Sequence, residues 1–261
     1  MKIALMDSGI GLLAATAAVR RLRPDADLVL SLDPDGMPWG PRTPEDLTQR
    51  AVAVAEAAAA HSPDALIVGC NTATVHALPA LRARLEPGIP VIGTVPAIKP
   101  ASAGGGPFAI WATPATTGSS YQRGLIKDFA DGVTVAEVPC FGLAEAVEHA
   151  DEPAIEAAVA AAAALTPRDV TTVVLGCTHY ELVAERIRTA VQRPGFPPLA
   201  LHGSAGAVAA QALRRIGEQP APDAAASGTL TVLLSGREGS LPEPALAYAE
   251  GRLLQAISPA R

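Results

Sequence analysis

Three cysteines stand at positions 70, 140 and 177, and two of them sit where thiol chemistry is favoured. Cys70 lies in Gly69-Cys70-Asn71-Thr72-Ala73-Thr74 and Cys177 in Gly176-Cys177-Thr178-His179-Tyr180, each directly after a short apolar run. A thiol at a strand-to-helix junction meets the free N–H groups of the helix start, which bring its pKa from about 8.5 toward neutrality. One activated thiol beside a histidine and an acid would suggest a nucleophile. Two thiols at equivalent places suggest an acid and a base on opposite faces of one substrate. Such a pair takes a proton from a carbon on one side and returns one on the other, as racemisation and epimerisation need, with no metal or nicotinamide. The cysteine spacing is too wide for a zinc knuckle, so no metal site is expected, and no GxGxxG, Walker or HExxH motif competes. Cys140, in Val138-Pro139-Cys140-Phe141-Gly142, has no polar neighbour and reads as a small buried hydrophobe.

The elements that must position these thiols alternate. Short apolar runs at Lys2 to Met6, Asp27 to Ser31, Ala65 to Val68 and Val91-Ile92 read as strands. Between them Leu12 to Leu22, Thr43 to His61 and Val75 to Leu85 read as helices, the second announced by a threonine cap, an early proline and two acids. Strand-then-helix order implies parallel sheets covered by helices on both faces. Gly104-Gly105-Gly106 looks like a hinge between two units. Beyond it the pattern restarts, with strands at Phe108 to Trp111 and Val170 to Leu175 and a helix at Ala154 to Leu165. Setting Asp7 against Thr113 gives an offset of 106, and Cys70 against Cys177 one of 107. Two similar α/β units are expected, residues 1–98 with 207–261 and residues 99–206, each offering a cysteine at the strand end where open sheets bind ligands.

Composition narrows the class. The 261 residues are long enough to bury a core, and 49% are hydrophobic although only 3% are aromatic, so the core is alanine and aliphatic. A net charge of −6 provides no footprint for phosphate backbones and argues against nucleic acid as partner. No run reaches the roughly 18 apolar residues of a membrane span, and three unpaired cysteines suit the reducing cytoplasm.

Particular residues carry a family resemblance. Asp7-Ser8-Gly9-Ile10-Gly11, Asp33 with Pro38-Trp39-Gly40-Pro41, Cys70-Asn71-Thr72-Ala73-Thr74, Ala112-Thr113-Pro114-Ala115-Thr116 with Tyr121, and Gly176-Cys177-Thr178-His179-Tyr180 follow one another as in glutamate racemases. The chain resembles the glutamate branch of the aspartate/glutamate racemase superfamily, from Lys2 to about Tyr180 and more weakly beyond. The resemblance implies two three-layer α/β units related by pseudo-two-fold symmetry, with the active site in the cleft between them. It implies cofactor-independent interconversion of L- and D-glutamate, whose D-product serves peptidoglycan synthesis and hence cell shape. Racemisation of another amino acid or a hydantoin, and a two-lobed binding protein without catalysis, are the alternatives.

Position by position, the resemblance makes Cys70 the thiolate that takes the α-proton from D-glutamate and Cys177 the one that takes it from L-glutamate. Asp7 would serve the first thiol and His179 the second, with Glu148 near the family's second acidic residue. Ser8, Asn71, Thr72, Thr74 and Thr178 would hold the ammonium and carboxylates. Pro38, Trp39, Gly40, Thr113 and Thr116 would close the pocket. The chain departs from the family at Leu12 and Ala14, where relatives carry Gly and Thr, at His149-Ala150-Asp151, which replaces an acid and a glycine, and at Gly203, where an Asp often precedes Ser204. Read without the family, Asp7 is a helix cap, the threonines are caps or turn residues, and His179 is a satisfied core histidine. An alanine-rich helix face packs internally or against a second copy, so a homodimer stays open.

Overall fold

The computed structural model describes residues 1–256 and divides into two compact units, Met1–Val95 with the chain from Ala205 onward, and Pro96–Ser204. The first segment runs β1 (Lys2–Asp7), α1 (Leu13–Leu22), β2 (Asp27–Leu32), α2 (Pro44–Ala59), β3 (Ala65–Val68), α3 (Asn71–Leu85) and β4 (Val91–Gly93). The second unit holds α4 (Ile98–Ser102), β5 (Phe108–Ala112), α5 (Ser120–Phe129), β6 (Val135–Pro139), α6 (Leu143–Glu148), α7 (Glu152–Leu165), β7 (Thr172–Leu175), α8 (Thr178–Glu181), α9 (Ala184–Val191) and β8 (Ala200–His202). The chain then returns to the first unit with α10 (Ala205–Arg215), β9 (Leu230–Leu234), β10 (Arg237–Gly239) and α11 (Ala249–Ala256). Among the described residues no helix is long and apolar enough to cross a membrane.

The sheets follow from the alternation of elements. The first has the order β10-β9-β2-β1-β3-β4, parallel except for the β9-β10 hairpin at its edge, and the second is all parallel in the order β6-β5-β7-β8. Four strands of the first sheet thus repeat the whole of the second. The register repeats as well, with Met6 opposite Val68 in one sheet and Trp111 opposite Leu175 in the other. In each unit the residue after the third strand is a glycine whose N–H donates to the penultimate carbonyl of the first strand, Gly69 to Met6 and Gly176 to Trp111, both at 2.7 Å. The backbones approach so closely that a Cβ at Gly69 would lie 2.9 Å from the Leu12 Cβ, and one at Gly176 would lie 2.8 Å from the Trp111 carbonyl oxygen. Leu12, a departure from the family, is fully buried against the face that Gly69 leaves open.

Side-chain alternation distributes the cores. Ala4 and Met6 of β1 pack with Trp39, Leu47 and the alanines of α2 and α3, whereas Ile3 and Leu5 point to the opposite face, where α1 packs on α10 and α11. Ala51, Ala55 and Ala58 of α2 and Ala73 and Ala77 of α3 fall at helical spacing within one cluster, and their small side chains let the two helices lie close. In the second unit Phe108, Ile110 and Ala112 face Ile98 and Ala101 of α4. Trp111 points the other way, and its Nε1–H donates to Thr166 Oγ1 at the end of α7, 2.9 Å away.

Two expectations need correction. The Gly104–Gly106 segment is not the boundary between units; it lies inside the second, between α4 and β5, because Ile98 and Ala101 commit α4 to that core. The third helix starts at Asn71 rather than Val75, since Cys70 occupies its N-cap and accepts the Ala73 N–H at Sγ, 3.5 Å away. The close approach at Gly176 yields a test. Gly176→Ala drives a Cβ into a backbone oxygen and should lower stability by about 2 kcal/mol or more in urea denaturation. Gly124→Ala, in the middle of α5 with open space around it, should raise stability by about 0.5–1 kcal/mol.

Candidate active site

The first group of site residues gathers at the C-terminal edge of the first sheet. Asp7 ends β1, and Cys70 follows the glycine bound to Met6, so two adjacent parallel strands deliver them to one edge. Asp7 is almost wholly buried, and its Oδ1 accepts the Ser8 N–H at 2.6 Å and the Ser8 hydroxyl at 3.3 Å. The N-cap position of the turn at Ile10–Leu12 is Gly9, two residues after Asp7. Asn71 and Thr72 occupy the first turn of α3, the former buried and the latter half-buried. Thr74 Oγ1 accepts the Thr94 N–H at 3.0 Å, tying α3 to the end of β4, so its hydroxyl already has a structural task.

The second group is a chain of three polar side chains within the second unit. Cys177 occupies the N-cap position of α8, and its Sγ lies 3.8 Å from His179 Nδ1; His179 Nε2 lies 2.7 Å from Glu148 Oε2. Thiol, imidazole and carboxylate are therefore in line, the carboxylate arriving from α6. Burial alone would pull the His179 pKa down, yet its hydrogen bonds to Cys177 and Glu148, and their negative charge, hold it well above 6.5. The two thiols are thus set differently. Cys70 heads a fifteen-residue helix, while α8 has only four residues, too few for an appreciable macrodipole, so the cationic partner of Cys177 is His179.

Glu148 is aimed by a helix end. The Ala150 N–H bonds to the Val147 carbonyl at 3.1 Å and the Asp151 N–H to the Ala146 carbonyl at 2.9 Å, which is the Schellman pattern, with Ala150 left-handed at φ 52°. Asp151 then caps α7 by accepting the Ala154 N–H. The departure at His149-Ala150-Asp151 thus keeps the turn and places an alanine where a glycine is unstrained.

The remaining residues are placed less closely. Thr113 and Thr116 follow β5 in the second unit, their Oγ1 atoms 3.2 Å apart, and Thr178 is buried at the start of α8. Pro38 and Gly40 are exposed on either side of Trp39, which is buried in the α2–α3 cluster. Cys140 is buried, its Sγ bonded to the Val138 carbonyl, and burial pushes its thiol up to about 12, in keeping with a structural role.

Sequence reasoning passed over three features. Glu181 Oε1 accepts both the N–H and the hydroxyl of Ser204 at 2.8 Å, and its carboxylate lies where a Cβ at Gly203 would go, so a larger residue there requires the Glu181 side chain to shift. Asp33, quoted only as part of a motif, is a buried hub. Ser119 and Gln122 have the spacing of a capping box, but only half forms: Gln122 N–H reaches Ser119 Oγ, while the Gln122 amide is buried without a protein partner.

Removing the Glu148 charge by Glu148→Gln should lower the His179 pKa, read by NMR of the ring nitrogens. Because the folded-state value is raised, the pairing stabilises the fold below the unfolded pKa of about 6.5 and is lost as pH rises through the folded value. The stability gap between the two proteins should therefore close above that value. Ala150→Gly should stabilise the fold by about 1 kcal/mol by relieving the left-handed alanine, checked by urea denaturation.

Comparison with known proteins agrees with this geometry. Residues 12–206 match the family model for Asp/Glu/Hydantoin racemase. A glutamate racemase of Roseiflexus sp. (strain RS-1) is 38% identical over 191 residues, 71% of this chain and 70% of that protein. A glutamate racemase of Pseudomonas entomophila (strain L48) is 34% identical over 222 residues, 83% of this chain and 82% of that one. The crystal structure of Escherichia coli glutamate racemase in complex with L-glutamate and the activator UDP-MurNAc-ala is similar, with a TM-score of 0.80 at 27% identity, covering 98% of this chain and 95% of that chain. Repeated sheets that each end in Gly-Cys, a Cys177–His179–Glu148 chain and a family match across three quarters of the sequence converge: the chain belongs to the Asp/Glu/Hydantoin racemase family.

Proposed function

We propose that this chain interconverts L- and D-glutamate without a cofactor, using Cys70 and Cys177 on opposite faces of the substrate's α-carbon. The observation that carries the reading is the equivalent placement of the two cysteines, each one residue past a glycine at the same strand end of a repeated unit. Relatives at 33–38% identity named as glutamate racemases favour glutamate among the substrates of the family.

In this mechanism one thiolate removes the α-proton while the opposite thiol returns one. An amino acid α-proton is too weakly acidic for a thiolate in water, so fixed donors must stabilise the carbanion. Asn71, Thr72, Thr74, Thr178 and Ser8 supply amide, hydroxyl and backbone groups for the substrate's carboxylates and ammonium, with Thr113, Thr116 and the Pro38–Gly40 backbone completing the pocket. Asp7 polarises Cys70. His179, held cationic by Glu148, stabilises the Cys177 thiolate, both before it takes the α-proton and after Cys177 gives its proton to the carbanion. Local donors must outweigh the net charge of −6, which opposes an anionic substrate. The proposed physiological setting is the bacterial cytoplasm, where D-glutamate feeds peptidoglycan, and the proposed assembly is a homodimer.

Cys70→Ser and Cys177→Ser should each reduce racemisation by about a thousandfold or more, read by chiral chromatography. In D2O the wild type should move deuterium into the α-position of glutamate. Full activity in either single variant would end the two-thiol reading, and binding of glutamate without exchange would make the protein a binder.

A further inference from the structure

We propose that Asp33 is a positioning residue that sets the loop carrying Pro38, Trp39 and Gly40, acting through the Trp39 indole; this rests on the reading above, in which that loop meets substrate. Asp33 follows β2 directly and is 3% exposed. A carboxylate so far from water needs donors, and it has three. Trp39 Nε1–H donates to Oδ2 at 2.9 Å, Arg50 Nη1 to the same oxygen at 3.3 Å, and Ser235 Oγ to Oδ1 at 3.1 Å. These come from the loop itself, from α2 and from the turn between β9 and β10, so one side chain ties the loop to a following helix and to a turn far along the chain. The Asp33 N–H donates to the Ser8 carbonyl at 3.2 Å, which ties the same residue to the loop beside Asp7.

The loop is built around this contact. The chain passes over the carboxylate at Gly36, where any Cβ would overlap Asp33 Oδ2 and the Arg50 guanidinium. Arg42 braces the far side, its Nε donating to the Gly36 carbonyl at 2.6 Å and its N–H to the Trp39 carbonyl at 3.1 Å. Trp39 is sunk among Leu47, Ala51 and their neighbours, yet Pro38 and Gly40 are exposed, and a Cβ at Gly40 would have nothing within 4 Å. One anchored side chain thus presents backbone on both its flanks. Apolar burial holds an indole in place but leaves its tilt loosely set. A hydrogen bond from its single N–H to a charged acceptor fixes the ring plane, and with it the direction of the flanking carbonyls and N–H groups.

Trp39→Phe keeps an aromatic ring in the cluster and deletes the donor; Asp33→Asn keeps the shape and deletes the charge. Each should raise KM for glutamate in both directions about tenfold, with kcat changed by no more than about twofold, because binding common to ground and transition states is what is lost. A purely structural Asp33 would instead lower Tm and leave KM unchanged in the folded protein, and that result overturns the proposal. Two tryptophans give two indole resonances in a nitrogen-proton NMR spectrum. Saturating glutamate should shift that of Trp39, and Asp33→Asn should shift the same signal while Trp111, bound to Thr166, stays in place. A Trp39 resonance unmoved by saturating substrate also overturns it. A wild type that racemises another amino acid defeats the glutamate assignment and leaves this test intact on that substrate.

Discussion

In a parallel sheet the strand ends leave N–H and carbonyl groups that the next turn must satisfy, and here one such bond organises the site twice. The N–H after the third strand reaches the penultimate carbonyl of the first, at Gly69 and at Gly176, and a Cβ at the donor would meet the Leu12 Cβ at 2.9 Å in the first unit and the Trp111 carbonyl oxygen at 2.8 Å in the second. A glycine is therefore required at both places, and the next residue turns into a helix N-cap. In both units that next residue is cysteine. The thiols owe their equivalence to the hydrogen bonding of the sheet edge and to the repeated strand order, with no direct interaction required to set it.

From this shared frame the two halves diverge. Cys70 sits at the head of a long helix beside a buried aspartate that accepts from its own neighbour's N–H. Cys177 sits on a helix of one turn and depends on His179, itself gripped by a carboxylate that α6 aims through a left-handed alanine. A buried imidazole would ordinarily lose its proton, since desolvation penalises the charged form. Hydrogen bonds to Cys177 and Glu148 reverse that sign at His179, and the reversal depends on α6 and α8 packing together. Family departures fall on such supporting residues. Leu12 fills the space Gly69 leaves, and Glu181 occupies the space a side chain at position 203 would need.

Alanine content, which says nothing about chemistry, has a mechanical use. With Ala51, Ala55, Ala58, Ala73 and Ala77 between them, α2 and α3 lie close over β1 and β3, and the same cluster takes in Trp39 and borders Cys70. Large aromatic residues are few, and three of the buried ones have polar tips with definite partners: Trp39 with Asp33, Trp111 with Thr166, Tyr180 with the Cys140 carbonyl. Each such partner converts a packed ring into one with a fixed orientation.

The sequence by itself determined the parallel α/β class, the repeat, and the equivalent placement of Cys70 and Cys177, because strand period, glycine and cap residues are local signals written within a few positions. Asp7, Ser8 and the threonines were legible as part of short motifs at strand ends. The partnership of Glu148 with His179 was not, because 31 residues separate them and only the packing of α6 beside α8 joins their side chains. The hub at Asp33 was hidden for the same reason: Ser235 lies 202 residues away. Gly104–Gly106 misled because a flexible triplet signals a bend, whereas unit membership is decided by which core buries Ile98 and Ala101. Local physics chose the elements and the thiols, and tertiary packing chose their charged partners, since hydrogen bonds and ion pairs act over a few ångströms of space whatever their distance along the chain.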